Sequence, residues 1–150
     1  MPHLSLATPL GPLTVFEADG AVIALEFGRA PDGNETPLLR TARSQLASYF
    51  DGALRGFTLP LAPAGTPFQR SVWAALSAIP YGETRTYGDL AAQLGSAPRA
   101  VGGACGRNPI PIIVPCHRVV GADGRLTGYS GGQGIDTKRA LLAIEAASIV

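Results

Sequence analysis

The run Ile112-Ile113-Val114-Pro115-Cys116-His117-Arg118-Val119-Val120 constrains this chain most. It sets a thiol, an imidazole and a guanidinium inside a stretch too apolar to leave in water. Pro109 and Pro111 bound it on one side, Gly121 and Asp123-Gly124 on the other. Its length predicts a buried strand. Pro115 cannot donate to a sheet ladder, so a bend or a strand end is expected there. Neighbours on a strand point to opposite faces, so Cys116 and His117 would communicate only through a local bend or a bridging water. A free thiol near pKa 8.5 is only a few per cent thiolate at neutral pH, roughly. His117 and Arg118 are the neighbours able to activate it, by base or by charge. The alternative is a buried structural thiol beside a hydrogen-bonded core imidazole.

Around that run the chain reads as α+β. Leu13–Ala18 and Ala21–Phe27 flank Asp19-Gly20, a two-residue hairpin signal. Thr36-Pro37 opens a helix, Thr as cap and Pro at the first helical position. Leu38, Leu39, Ala42, Leu46, Tyr49 and Phe50 form its apolar face, and Gly52 stops it. These signals predict a small N-terminal α/β lobe, an antiparallel sheet plus a helix, over residues 1–62. The Pro-rich stretch 58–66 is the linker. A mostly helical C-terminal lobe follows over 63–150.

In that second lobe Thr66-Pro67 repeats the capping signal. Its helix is expected to bury Phe68, Val72, Trp73, Leu76 and Ile79. Thr86 caps a short helix with Tyr87, Leu90, Ala91 and Leu94, closed by Gly95. After Ser96-Ala97-Pro98 a second short helix begins at Arg99. Two short helices joined by a tight turn read as a winged-helix-like helix-turn-helix. Between Arg99 and Arg107 the second helix offers, besides Val101, only Ala, Gly and Cys105. Such a face suits close approach to a packed neighbouring helix or to a nucleic-acid groove. Asn108 is suited to bridging the following turn through its side chain. The loop Gly128–Gly134 can close over a planar ligand or be a long turn only. A last helix starts near Asp136-Thr137. On it Glu145 is either solvent-exposed or buried and paired, with His117 as the candidate partner.

Composition narrows the classes. Of 150 residues, 46% are hydrophobic and 15% charged, which excludes a disordered chain. Two cysteines without a signal peptide point to a reducing, cytoplasmic setting, nucleoid-associated if the source is a bacterium. No stretch approaches a membrane span. The net charge of +1 hides an asymmetry: residues 1–62 carry four Arg against six acids, residues 63–150 seven Arg and Lys138 against five. The basic excess travels with the Cys-His run.

Taken together, Thr66-Pro67-Phe68-Gln69, Val72-Trp73, Ile79-Pro80-Tyr81-Gly82, Tyr87, Arg99-Ala100-Val101-Gly102, Asn108-Pro109, Pro115-Cys116-His117-Arg118-Val119 and Gly128-Tyr129-Ser130-Gly131-Gly132 resemble the O6-alkylguanine-DNA alkyltransferases. The match runs from about residue 66 to 145. It implies DNA repair by direct reversal: an irreversible, stoichiometric transfer of an alkyl group from O6-alkylguanine to Cys116, with O4-alkylthymine left open as a second substrate. Cys116, His117, Glu145, Asn108 and Tyr87 would then carry the chemistry. Arg99, Ala100, Gly102, Tyr87 and Gln69 would contact DNA from the minor groove, with Arg99 filling the gap left by a flipped base. Val119, Ser130, Tyr129, Pro111 and Lys138 would hold the base. No cofactor is implied, and a monomer is expected. His3 and the two Cys cannot make a four-ligand metal site. Three rivals stand beside this reading. One is a lesion-binding module without transfer, which would lack the acceptor Cys. The others are a Cys-His hydrolase, for which no oxyanion-hole motif is found, and a helix-turn-helix regulator, which leaves Cys116-His117 unexplained.

Overall fold

The structure, a computed structural model, describes residues 1–31, 33–129 and 131–148. The N-terminal lobe is an antiparallel sheet in the order β1 (His3–Leu6), β2 (Leu13–Ala18), β3 (Ala21–Phe27). Asp19 and Gly20 adopt φ +50° and +78°, the paired positive angles that let a two-residue hairpin follow the strand twist. Leu4, Leu6, Leu13, Val15, Val22 and Leu25 are buried. Helix α1 (Pro37–Phe50) packs against β1 and β2. It begins as the sequence requires: Thr36 Oγ1 accepts from Leu39 N at 3.1 Å. Leu39, Ala42, Leu46 and Tyr49 recur at helical spacing and are each fully buried, a stripe stabilising by roughly 1.5–3 kcal/mol per large side chain. The 58–66 connector is pinned to the sheet: Val22 N donates to Pro60 O and Ala62 N to Val22 O, both at 2.9 Å.

Helix α2 (Pro67–Ser77) opens with a complete capping box between Thr66 and Gln69. Val72, Trp73, Ala75 and Leu76 are buried. Trp73 is core, and its Nε1 donates to Ala104 O at 2.9 Å. Phe68, expected inside, is 37% exposed, because the first turn of α2 lies outside the core and burial begins at Val72. The strand β4 (Arg85–Thr86) leads directly into α3 (Tyr87–Leu94), capped by Thr86 and Asp89. Gly95, at φ +63°, ends α3 in the left-handed conformation, and α4 (Pro98–Gly106) packs back on it. The last helix, α5, spans Ile135–Ser148.

The apolar run is not a strand along its length. Only Val119–Val120 forms one, β5, pairing in parallel with β4. The reason lies in the prolines: three of them, at 109, 111 and 115, remove ladder donors. The chain instead coils tightly, with Val114 N donating to Ile110 O and Ile113 N to Pro111 O, both at 2.9 Å. Ile112 sits at φ +73°, uncommon for a β-branched residue. Cys116–Arg118 then form a single 3-10 turn, with every residue from Ile112 to Val120 buried. The bend expected at Pro115 is present, and it leads into the Cys116–Arg118 turn.

Candidate active site

Cys116 heads this turn, 8% exposed, where two cavities meet. One, of about 470 Å³, is walled by β3, Asn108, Pro111, Tyr129 and Gly131. The other, of about 510 Å³, is walled by Tyr87, Gly102, Gly106, Thr127 and Tyr129. Burial pushes the Cys116 thiol up, while a hydrogen bond from Asn108 and the charge of Lys138 pull it down. The resting group is therefore a thiol, and it needs a base.

His117 is fully buried beside it, and Glu145 is 1% exposed. An ionised carboxylate can only accept, so His117 Nε2 carries a proton and donates it to Glu145 Oε2 at 2.6 Å. In the neutral ring this leaves a lone pair on Nδ1, which has no hydrogen-bond partner among the described residues. Burial holds the imidazole pKa below its ordinary value. Glu145 opposes this, and the Arg118 and Lys138 charges reinforce it. Burial also opposes ionisation of Glu145, yet hydrogen bonds from His117, Arg118 and Tyr49 hold its carboxyl at about 2. A neutral base backed by a permanent anion can take a proton from a thiol and stabilise the resulting imidazolium.

Arg118, a candidate activator of Cys116, is turned the other way. Its Nε and Nη2 donate to Glu145 at 2.8 and 3.0 Å and its Nη1 to Ile79 O at 2.8 Å. Its guanidinium lies 5.5 Å from the Tyr81 ring centroid. Tyr49, read only as a core residue of α1, donates its hydroxyl to Glu145 Oε2 at 2.7 Å. Its helical spacing gave no signal for this, because the partner lies 96 residues away.

Both members of the pair have lower pKa values folded than unfolded, so the unfolded chain takes up protons first on acidification. The His117 contribution is lost as pH falls below 6.5, and that of Glu145 between 4.5 and about 2. Melting temperature is therefore expected to fall steadily from about pH 7 downward, well before bulk carboxylates titrate. A flat profile down to about pH 5 in differential scanning calorimetry would contradict this.

Other candidates gather on the same turn. Asn108 Nδ2 donates to Val114 O, and its Oδ1 accepts from Ile110 N, both at 2.9 Å, so it staples the end of α4 to the coil before Cys116. Tyr87 opens α3. Burial raises its phenol pKa although Thr127 bonds it, so it stays a proton donor. Lys138 is fully enclosed, with Nζ donating to Thr127 O at 2.8 Å and lying 5.8 Å from the Tyr87 ring. Burial lowers its pKa against the pull of both cysteines. Tyr129 sits between the two cavities, edge-on to Phe27 at 6.4 Å, with a buried hydroxyl that has no hydrogen-bond partner among the described residues. Pro111 walls one cavity, and the Val119 N–H is spent on Cys116 O. Ser130 lies outside the described residues.

Gln69 is occupied in the capping box of α2, apart from this cluster. Helix α4 presents two faces. Val101, Ala104 and Cys105 pack inward. Arg99 and Ala100 are exposed, and a Cβ added at Gly103 or Gly106 would meet nothing within 4 Å. One at Gly102 would lie in ordinary contact, 3.8 Å from the Tyr87 ring. Internal packing therefore does not require these glycines, and the outer face is open, small and cationic. Phe27 escaped the sequence reading too. It packs so closely on Gly131 that a Cβ there would collide with its ring. Among the described residues no group of acidic, His and Cys side chains could hold a metal, and no helix is long and apolar enough to cross a membrane.

Comparison with known proteins covers the whole arrangement. The family model described as 6-O-methylguanine DNA methyltransferase, ribonuclease-like domain, matches residues 3–63. The model described as 6-O-methylguanine DNA methyltransferase, DNA binding domain, matches residues 67–147. A methylated-DNA–protein-cysteine methyltransferase of Methanosarcina acetivorans is 47% identical over 148 residues, covering 92% of this chain and 94% of its own. One from Mycobacterium bovis is 50% identical over 153 residues, covering 95% and 91%. The crystal structure of Mycobacterium tuberculosis OGT in complex with DNA aligns with a TM-score of 0.89 at 46% identity, covering 99% of this chain and 94% of that one. With both of its lobes matched and close relatives aligned along nearly its full length, the chain belongs to the 6-O-methylguanine DNA methyltransferase family.

Proposed function

We propose that this chain repairs alkylated DNA in a single turnover, moving the alkyl group from guanine O6 to Cys116. The observation that carries the reading is a buried thiol between two cavities, next to a neutral imidazole backed by an anionic carboxylate. The open face of α4 enters the minor groove. Its small residues Ala100 and Gly102 let the backbone approach, and Arg99 takes the place of the extruded base. Extrusion costs a few kcal/mol, roughly, and less for a base whose pairing is already damaged. The base is held by Tyr129, Val119, Ser130 and Pro111, with Tyr87 and Lys138 beside it and Gln69 at the edge of the DNA contact.

The Cys116 proton passes to His117 Nδ1 through a bridging water, and Glu145 stabilises the imidazolium. The sulfur attacks the alkyl carbon and the carbon–O6 bond breaks. Its electron pair stays on guanine, which takes a proton delivered through Tyr87. The thioether has no good leaving group, so the thiol is not regenerated. The protein acts as a monomer without a cofactor, on O6-alkylguanine in duplex DNA.

Intact-protein mass after incubation with a duplex containing O6-methylguanine tests this. A gain of about 14 Da, one methyl replacing one hydrogen, saturating at one per chain, is expected. An unchanged mass would defeat the reading. Arg99→Ala is expected to slow transfer from the duplex by about tenfold or more, since it loses the group that offsets unstacking. An unaltered rate would remove Arg99 from that role.

A further inference from the structure

Glu145 carries more donors than the orientation of His117 requires. Its Oε2 accepts from His117, from Tyr49 and from Arg118, and its Oε1 from Arg118 and, at 3.4 Å, from Gly82 N. The two-pronged Arg118 contact would by itself anchor the carboxylate. The extra donor, Tyr49, comes from α1 in the other lobe and is fully buried. Phe50, Phe57 and Tyr81 surround its ring at centroid distances of 5.3, 5.6 and 6.3 Å, which fixes the direction of the hydroxyl. Burial, then the Glu145 charge, raises its pKa far above the ordinary phenol value, so Tyr49 is a permanent donor.

We propose that Tyr49 is a positioning residue of the acceptor chemistry: by donating to the carboxylate oxygen that His117 also uses, it limits how firmly Glu145 can hold a proton on the imidazole. The inference rests on the alkyl-transfer reading above. A base held too firmly as imidazolium could not accept the Cys116 proton. Of the other groups facing His117, Arg118 beside it and Lys138 on α5 also disfavour the imidazolium. Cys116 is its neighbour in the turn, and Tyr81 reaches the cluster through Arg118. Helix α2 contributes only uncharged buried residues. Glu145 alone favours the charged ring, and Tyr49 competes for the same oxygen.

Tyr49→Phe removes the hydroxyl and keeps the ring and the Arg118 contact. The chain has two histidines, so NMR can follow the His117 ring with His3 as the other signal. The His117 titration is expected to move up by about one pH unit, the scale of one charge-assisted hydrogen bond. The acid limb of the single-turnover transfer rate should move up by the same amount, a loss on the acid side that recovers as pH rises. A fluorinated tyrosine at position 49, a stronger donor, should move both in the opposite direction, and it serves if the phenylalanine variant does not fold. A His117 ring that titrates alike, or not at all, in wild type and in both variants overturns the proposal. So does a rate lowered by one factor at every pH, which is the mark of a merely structural role. If the wild type transfers no methyl, the transfer reading fails separately, and the NMR titration still decides whether Tyr49 controls His117.

Discussion

Cys116→Ala is expected to give a folded protein that binds a methylated duplex and never acquires the methyl group. The loss should be a factor on the order of 10⁴ or more, as for deletion of other catalytic nucleophiles. The fold should survive, because one sulfur atom is removed from a residue that already borders two cavities, at a cost of about 1 kcal/mol. Cys105 borders the same cavities, yet it cannot take over. Burial is the main cause that pushes its thiol up, and burial remains when Cys116 is gone. A thiol held up in this way is a poor nucleophile at neutral pH. Intact mass and peptide mapping decide the matter. A methyl found on Cys105 in the variant would mean that burial does not silence that thiol.

Glu145→Ala should act on stability as much as on chemistry. It leaves the Arg118 guanidinium, 6% exposed, without its counter-charge, and it strips an acceptor from both His117 and Tyr49. Removing one partner of a buried ion pair costs roughly 3–5 kcal/mol, out of the 5–15 that usually hold such a domain. Thermal unfolding should drop by roughly 6–20 °C. Transfer should fall even at temperatures where the variant is folded, since His117 loses its orienting anion. A variant melting within about 2 °C of wild type would show that the carboxylate is not what holds this cluster together.

The sequence made the local parts of this molecule legible and left the long-range parts dark. Asp19-Gly20, Thr36-Pro37, Thr66-Pro67 and Thr86 are signals whose physics is complete within four residues, and each marks the boundary expected. The apolar run misled because its length argues for a strand while the prolines at 109, 111 and 115 remove ladder donors; the coil around Ile112 is the outcome. Phe68 has the right spacing for the core of α2 but lies one turn beyond it. The sequence leaves Glu145 either exposed or paired with His117, and the burial of both side chains decides for the pair. Arg118 could not be placed, because whether it serves the thiol or the carboxylate depends on the rotation of a three-residue turn. Tyr49 and Phe27 join the site across the chain's full length, and no periodicity reports that.

The seam between the lobes also bears on how the molecule comes apart. Leu25 N donates across it to Pro109 O at 2.9 Å, Tyr49 reaches Glu145, and Phe27 lies against the backbone of Gly131. Separating the lobes would break the Tyr49–Glu145 and Leu25–Pro109 hydrogen bonds before either core had lost anything. Two lobes joined in this way are expected to come apart together, in one heat-absorption peak.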